Sequence, residues 1–178
     1  MNHLITELNV LKSSLLEMWS IVISQHEKAK MALETFDKDL ANEVHTNEKL
    51  LDAFELKHDM DCENIIVLNN PVAVDLRFVL AVLKINYNLE RIGDYANYIA
   101  NQIRKSESPF NLQILKNSHV FDMFDISHVM LVQAYDSFEK DNIMLKNYSA
   151  SLIKLIQSQE IQQRFSIEVF VSVHQLKM

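Results

Sequence analysis

Glycine occurs once in this 178-residue chain, proline twice and cysteine once. Hairpins and tight turns depend on glycine and proline, so a multi-stranded sheet is excluded. The single cysteine, Cys62, leaves no disulfide framework and fits a reducing compartment. Positive charge is also scarce: 17 Lys and Arg against 24 Asp and Glu give a net charge of −7. Sequence-independent nucleic-acid binding needs cations to neutralise phosphates and does not fit that balance. No stretch approaches the ~20 apolar residues that span a bilayer, so direct membrane insertion is not expected. Residues 1–8 lack a charged segment leading into an apolar core, and a cytoplasmic location is the expectation. A Gly-rich phosphate loop, a nucleophile elbow and a Cys-x-x-Cys motif are all missing.

What is present is helical periodicity on a 48% apolar composition. Leu4, Leu8, Leu11, Leu15, Met18, Val22, Ala29, Leu33 and Phe36 form one stripe at 3–4 spacing. Asp37 or Asp39 is placed to cap a second helix, which uses Leu40, Val44, Leu51, Phe54, Cys62, Ile65 and Leu68. Asn70 and Pro71 suggest a restart, with Asn70 as cap and Pro71 at the first helical position. A third helix follows through Leu76, Leu80, Leu83, Leu89, Ile92, Ala96, Ile99 and Ile103. Short connections force neighbours antiparallel, so residues 1–105 predict an all-α, antiparallel three-helix bundle. The segment 106–109 is the linker candidate. Phe121, Phe124, His128, Leu131, Tyr135 and Phe138 mark a fourth helix that echoes the first. Residues 142–157 allow one short helix. Residues 165–173 alternate with a strand period, and a helix under tertiary override is favoured there over a strand paired with another copy of the chain.

The lone glycine, Gly93, lies inside the third helix, where glycine costs about 1 kcal/mol relative to alanine. Its retention suggests close approach of another backbone or of something bound. Glu90 and Asp94 flank it as a like-charged i,i+4 pair, and Glu48 and Asp52 repeat that pair on the second helix. If the helices bring the pairs together, four carboxylates converge without a matching basic cluster. Such a group raises its own pKa values or holds a hard or borderline cation through oxygen. A solvated acidic face is the plainer reading of either pair alone. The acidic stripe of the second helix continues through Glu55, Asp59 and Glu63.

Glu55/His58 and Asp125/His128 have the acid-x-x-His spacing of di-metal carboxylate bundles, which gives an alternative: a di-metal carboxylate oxidase. Histidines on apolar faces also serve as hydrogen-bonded core residues. Cys62 reads as inert packing, and Trp19, Tyr87 and Tyr95 as core or near-core aromatics.

The run Asn70-Pro-Val-Ala-Val-Asp-Leu-Arg77, followed by Leu89-Glu-Arg-Ile-Gly-Asp94 and Ile99-Ala100, closely resembles the signature of the PhoU family of bacterial phosphate-signalling regulators. Leu40-Ala41, Val44 and Glu48-Lys-Leu-Leu-Asp52 sit where that family has its first acidic motif. The resemblance implies two tandem three-helix bundles whose acidic motifs hold multinuclear metal clusters, iron or zinc, on the bundle surface. It makes Glu48, Asp52, Glu90 and Asp94 candidate metal ligands. It implies a non-enzymatic adaptor between the ATPase of the phosphate ABC importer and a phosphate-sensing histidine kinase, acting as a negative regulator. The second repeat departs from the pattern: residues 109–178 lack both acidic motifs and are expected to form a degenerate or incomplete repeat packed against the first. Its unmet apolar face would drive self-association, with a homodimer expected. A degenerate member that has lost partner binding is the remaining reading.

Overall fold

A computed structural model describes residues 2–140, and within them every regular element is a helix. These are α1 (Asn2–Thr35), α2 (Lys38–Asn69), α3 (Val74–Lys105), α4 (Leu112–Asn117) and α5 (Val120–Glu139). The turn between α1 and α2 is two residues long, and Asp37 caps α2 by accepting from the amides of Asp39 (2.8 Å) and Leu40 (3.1 Å).

The α2–α3 junction differs from the expected restart. Asn70 closes α2 in the left-handed region (φ 47°, ψ 54°), its amide bonding the Ile66 carbonyl. Asn tolerates this region better than most residues. Pro71 therefore lies in the connection, and α3 begins at Val74, after Ala73 at φ 47°, ψ −105°. Spacing alone does not separate a helix stop at Asn70 from a helix start there, because both favour Asn.

Side-chain pairs fix the packing. Glu7 meets Asn69, Ser14 meets His58, and Lys28 meets Glu43, so α1 and α2 run antiparallel. Cys62 against Val79, His58 against Asn86, and His45 against Asn97 give the same sense for α2 and α3. The bundle of 1–105 thus closes as a triangle of long helices. In α3 the buried line runs through Val79, Val82, Asn86, Leu89, Gly93, Ala96 and Ile103, while Leu80 is 45% exposed. The shift brings Asn86 inward, where it meets His58 Nδ1 (2.9 Å) and donates to the Glu55 carbonyl and Asp59. Leu68 faces solvent as well, at the open end of α2.

Residues 109–140 supply α4 and α5. Asn111 caps the short α4 through Gln113 and Ile114. α5 lies antiparallel on α1, from Lys30–Asp125 through His26–Ser127 to Trp19–Phe138. Phe110, Leu115, Val120 and Phe124 join the core around Ala29 and Ile99. Expectations for residues 141–178, including the short helix and the strand-like segment 165–173, fall outside the described residues.

Candidate functional site

α2 and α3 are pressed together at the level of Gly93. A Cβ on residue 93 would come within 3.0 Å of Leu51 Cδ1, and 3.6 Å from Gln25 Oε1 on α1. The glycine is thus kept for the close approach of a neighbouring side chain. Leu51 and Gly93 form the inner layer, both buried. Glu48 and Asp52, a turn below and one residue above Leu51, and Glu90 and Asp94, placed likewise about Gly93, straddle the seam outside that layer.

The structure brings these four predicted carboxylates into one field. Glu48 is pushed up to about 8, first by burial and then by a carboxyl–carboxyl hydrogen bond to Asp94 and the Asp94 and Asp52 charges. A hydrogen bond with Asn97 pulls the other way. Glu90 rises to about 7 through burial, the Asp94 and Glu55 charges, and a hydrogen bond to Asp94. Glu55 is raised as well, by burial and then by Asp59, Asp52 and Asp94. Asp94 is therefore the carboxylate common to both glutamates, acting on each through charge and a hydrogen bond. Glu48 Oε2 is buried and has no hydrogen-bond partner. The bundle's lysine pairs, such as Lys28–Glu43 and Lys57–Asp61, engage other carboxylates.

Gln25 was not legible as part of this region. It is fully buried under Gly93, and neither its amide oxygen nor its nitrogen has a partner. The only signal is that the α1 stripe jumps from Val22 to Ala29, leaving Gln25 and His26 on the missing turn.

The di-metal alternative is not assembled. His58 is buried between Ser14 Oγ (2.8 Å) and Asn86 (2.9 Å), whereas His128 faces Glu27 (3.5 Å) and Asp125 pairs with Lys30. Ser14 and Glu27 stand about 20 Å apart along α1 at 1.5 Å per residue. Both acid-x-x-His spacings are real, but their helices meet α1 at different heights. Cys62 is buried and its thiol is pushed up to about 12 by burial, which suits packing rather than reactivity.

The model of the PhoU domain matches residues 15–103, half of the chain, and the match contains all four carboxylates. The chain belongs to the PhoU family. It is 32% identical over 136 residues to the phosphate-specific transport system accessory protein PhoU homolog of Borreliella burgdorferi, covering 74% of this chain and 61% of that protein. It is 41% identical over 88 residues to the Burkholderia PhoU homolog, covering 49% of this chain and 37% of the relative. The chain thus spans less than two thirds of the length of these relatives. The crystal structure of PhoU from Pseudomonas aeruginosa superposes with a TM-score of 0.70 at 24% identity, covering 96% of this chain and 88% of that one, a likeness of fold.

The cation implied by PhoU membership can be set against the residues present. All-oxygen donors suit hard cations and iron, and the buried Glu48 Oε2, which has no hydrogen-bond partner, is chemically suited to one. Among the described residues, no three His, Cys, Asp or Glu side chains already form a metal cage. The fit therefore lies in the chemistry of the donors, with Glu48, Asp52, Glu90 and Asp94 the residues that would hold the ion. No helix among the described residues is long and apolar enough to cross a membrane.

Proposed function

We propose that this chain is a non-enzymatic accessory regulator of phosphate-specific transport, working on the cytoplasmic side as an adaptor between the importer's ATPase and a phosphate-sensing histidine kinase. The observation that carries the reading is the α2–α3 seam: carboxylates of two helices crowded outside a Gly93–Leu51 contact, within the segment that matches the PhoU domain. The names of the relatives, phosphate-specific transport system accessory proteins, supply the process.

When bound, iron or zinc would supply positive charge to a seam that otherwise relieves its repulsion by taking up protons. The chain's own part is mechanical. Leu51 and Gly93 hold α2 and α3 in register, and the exposed Asp52 and Asp94 present the acidic side of the seam to a basic partner patch. Self-association as a homodimer belongs to the same reading.

Tagged chain recovered from phosphate-replete cells tests this. The importer ATPase or the sensor kinase should co-purify with the wild type, and less of either with Glu90→Gln/Asp94→Asn. Elemental analysis of the same preparations should find iron or zinc in the wild type and a marked loss in the double variant. Recovery of neither partner would overturn the adaptor, and equal, negligible metal in both proteins would overturn the cation.

A further inference from the structure

The α1–α5 contact contains two histidines that the acidic seam does not use. His26 is 6% exposed, and its ring lies near-parallel to that of His128 (27°), with centroids 6.2 Å apart. The Phe124 ring closes over His26 edge-on at 4.9 Å.

The hydrogen bonds suit a tautomer that leaves Nδ1 of each ring free. Ser127 Oγ lies within bonding distance of the Met123 and Phe124 carbonyls (2.8 and 3.0 Å), either of which can take its only hydrogen. With that hydrogen on a carbonyl, Oγ accepts from His26 Nε2, 2.8 Å away, and Nδ1 keeps its lone pair. The Glu27 carboxylate lies 3.5 Å from His128 Nε2, on the side where the same tautomer carries its proton. Both rings are left with a lone pair on Nδ1, and both Nδ1 atoms are buried with no partner. A buried acceptor without a donor is costly, and here two occur on rings whose centres are 6.2 Å apart.

We propose that His26 and His128 bind one borderline divalent cation, Zn2+ or Ni2+ in class, through their Nδ1 atoms, and that the ion clamps α5 onto α1. Imidazole is the side chain such ions favour, and a ligating histidine whose other N–H is held by a carboxylate or hydroxyl is the usual support. An ion ~2.1 Å from each nitrogen holds the two ring centres roughly 5–6.5 Å apart, a range that includes the observed spacing. Burial first, and then the neighbouring Lys30 charge, lower His26 to about 4, so its ring is neutral and ready to ligate at neutral pH. Lys30 is itself paired with Asp125, which offsets its charge. Among the described residues no third His, Cys, Asp or Glu completes the group, so water fills the shell and affinity falls below that of a closed structural site.

The test is calorimetric titration of chelator-treated full chain with ZnCl2, alongside 15N spectra of the histidine rings. The wild type should bind Zn2+ with the Nδ1 resonances of His26 and His128 shifting together. His128→Gln should weaken this event at least tenfold, as should His26→Gln where it folds. Glu90→Gln/Asp94→Asn should retain it, which separates the site from the acidic seam. Unmoved Nδ1 resonances at Zn2+ saturation, or undiminished binding by His128→Gln, would overturn the proposal and leave a buried water as the partner of both rings.

Discussion

Leu51 Cδ1 occupies the space that a β-carbon on residue 93 would need, and this contact sets how closely α2 and α3 approach. Glycine normally weakens a helix interior, and here that weakness is exchanged for a tighter seam beneath the carboxylates.

Gly93→Ala tests the exchange. Helix propensity returns about 1 kcal/mol, while overpacking a buried contact costs about 1–3 kcal/mol. The expected net is a loss of up to ~2 kcal/mol in urea unfolding. Leu51→Ala alone should cost about 2–5 kcal/mol by opening a cavity. The double variant should be more stable than the two losses summed, since the added methyl enters the space vacated; simple additivity would argue against direct contact.

The acidic seam predicts an alkaline loss of stability in metal-free protein. Glu48 and Glu90 have folded pKa values, about 8 and about 7, above the ordinary 4.5 of a glutamic acid. Between those limits the folded state binds more protons than the unfolded one, so stability falls as pH rises from about 4.5 to 8. Thermal melts with chelator present should show this slope, and Glu48→Gln should flatten it, most clearly at the upper end.

His26 predicts the opposite slope on the acid side. Its folded pKa of about 4 lies below the ordinary 6.5, so the unfolded chain takes up a proton first. Stability is full above 6.5 and is lost as pH falls towards 4, by an amount on the order of 3 kcal/mol. His26→Gln in chelator should remove most of this limb; an unchanged limb would assign it to other groups, His58 first, whose pKa burial also lowers.

The α2–α3 turn carries backbone strain at Ala73, at φ 47°, ψ −105°. A non-glycine residue in such a region costs of order 1–3 kcal/mol, and glycine gives back about 0.5–1 kcal/mol of that relief as chain entropy. Ala73→Gly is therefore expected to raise stability by up to ~2 kcal/mol in urea unfolding. A loss would mean that the alanine methyl is doing more than straining the turn.

The helical class was readable because glycine and proline are nearly absent and the 3–4 spacing is continuous over α1, α2 and α3. The α3 start was less so: Asn70 and Pro71 carry cap chemistry that serves a helix end as well as a beginning, and the Ala73 methyl gives no sign of its conformation. α4 has six residues, too few to show a period. Of the candidate site, Glu48, Asp52, Glu90 and Asp94 were visible as paired charges on one face each, because i,i+4 spacing is a local property of a helix. Glu55/His58 and Asp125/His128 had equally good spacing and remain apart, because spacing does not say at what height two helices meet.

The sequence by itself determined the helical class, the long helices α1, α2, α3 and α5, and that each of two helices carries a carboxylate pair beside its apolar stripe. These follow from backbone geometry and the order of side chains within a few turns. Only the tertiary structure decided that Leu51 faces Gly93, that Gln25 lies sealed beneath them, and that His26 and His128 share a buried contact. Each depends on residues far apart in the chain meeting at one level of the bundle. Helix lengths, turn geometry and the fit of whole faces set that level, and no local pattern records it.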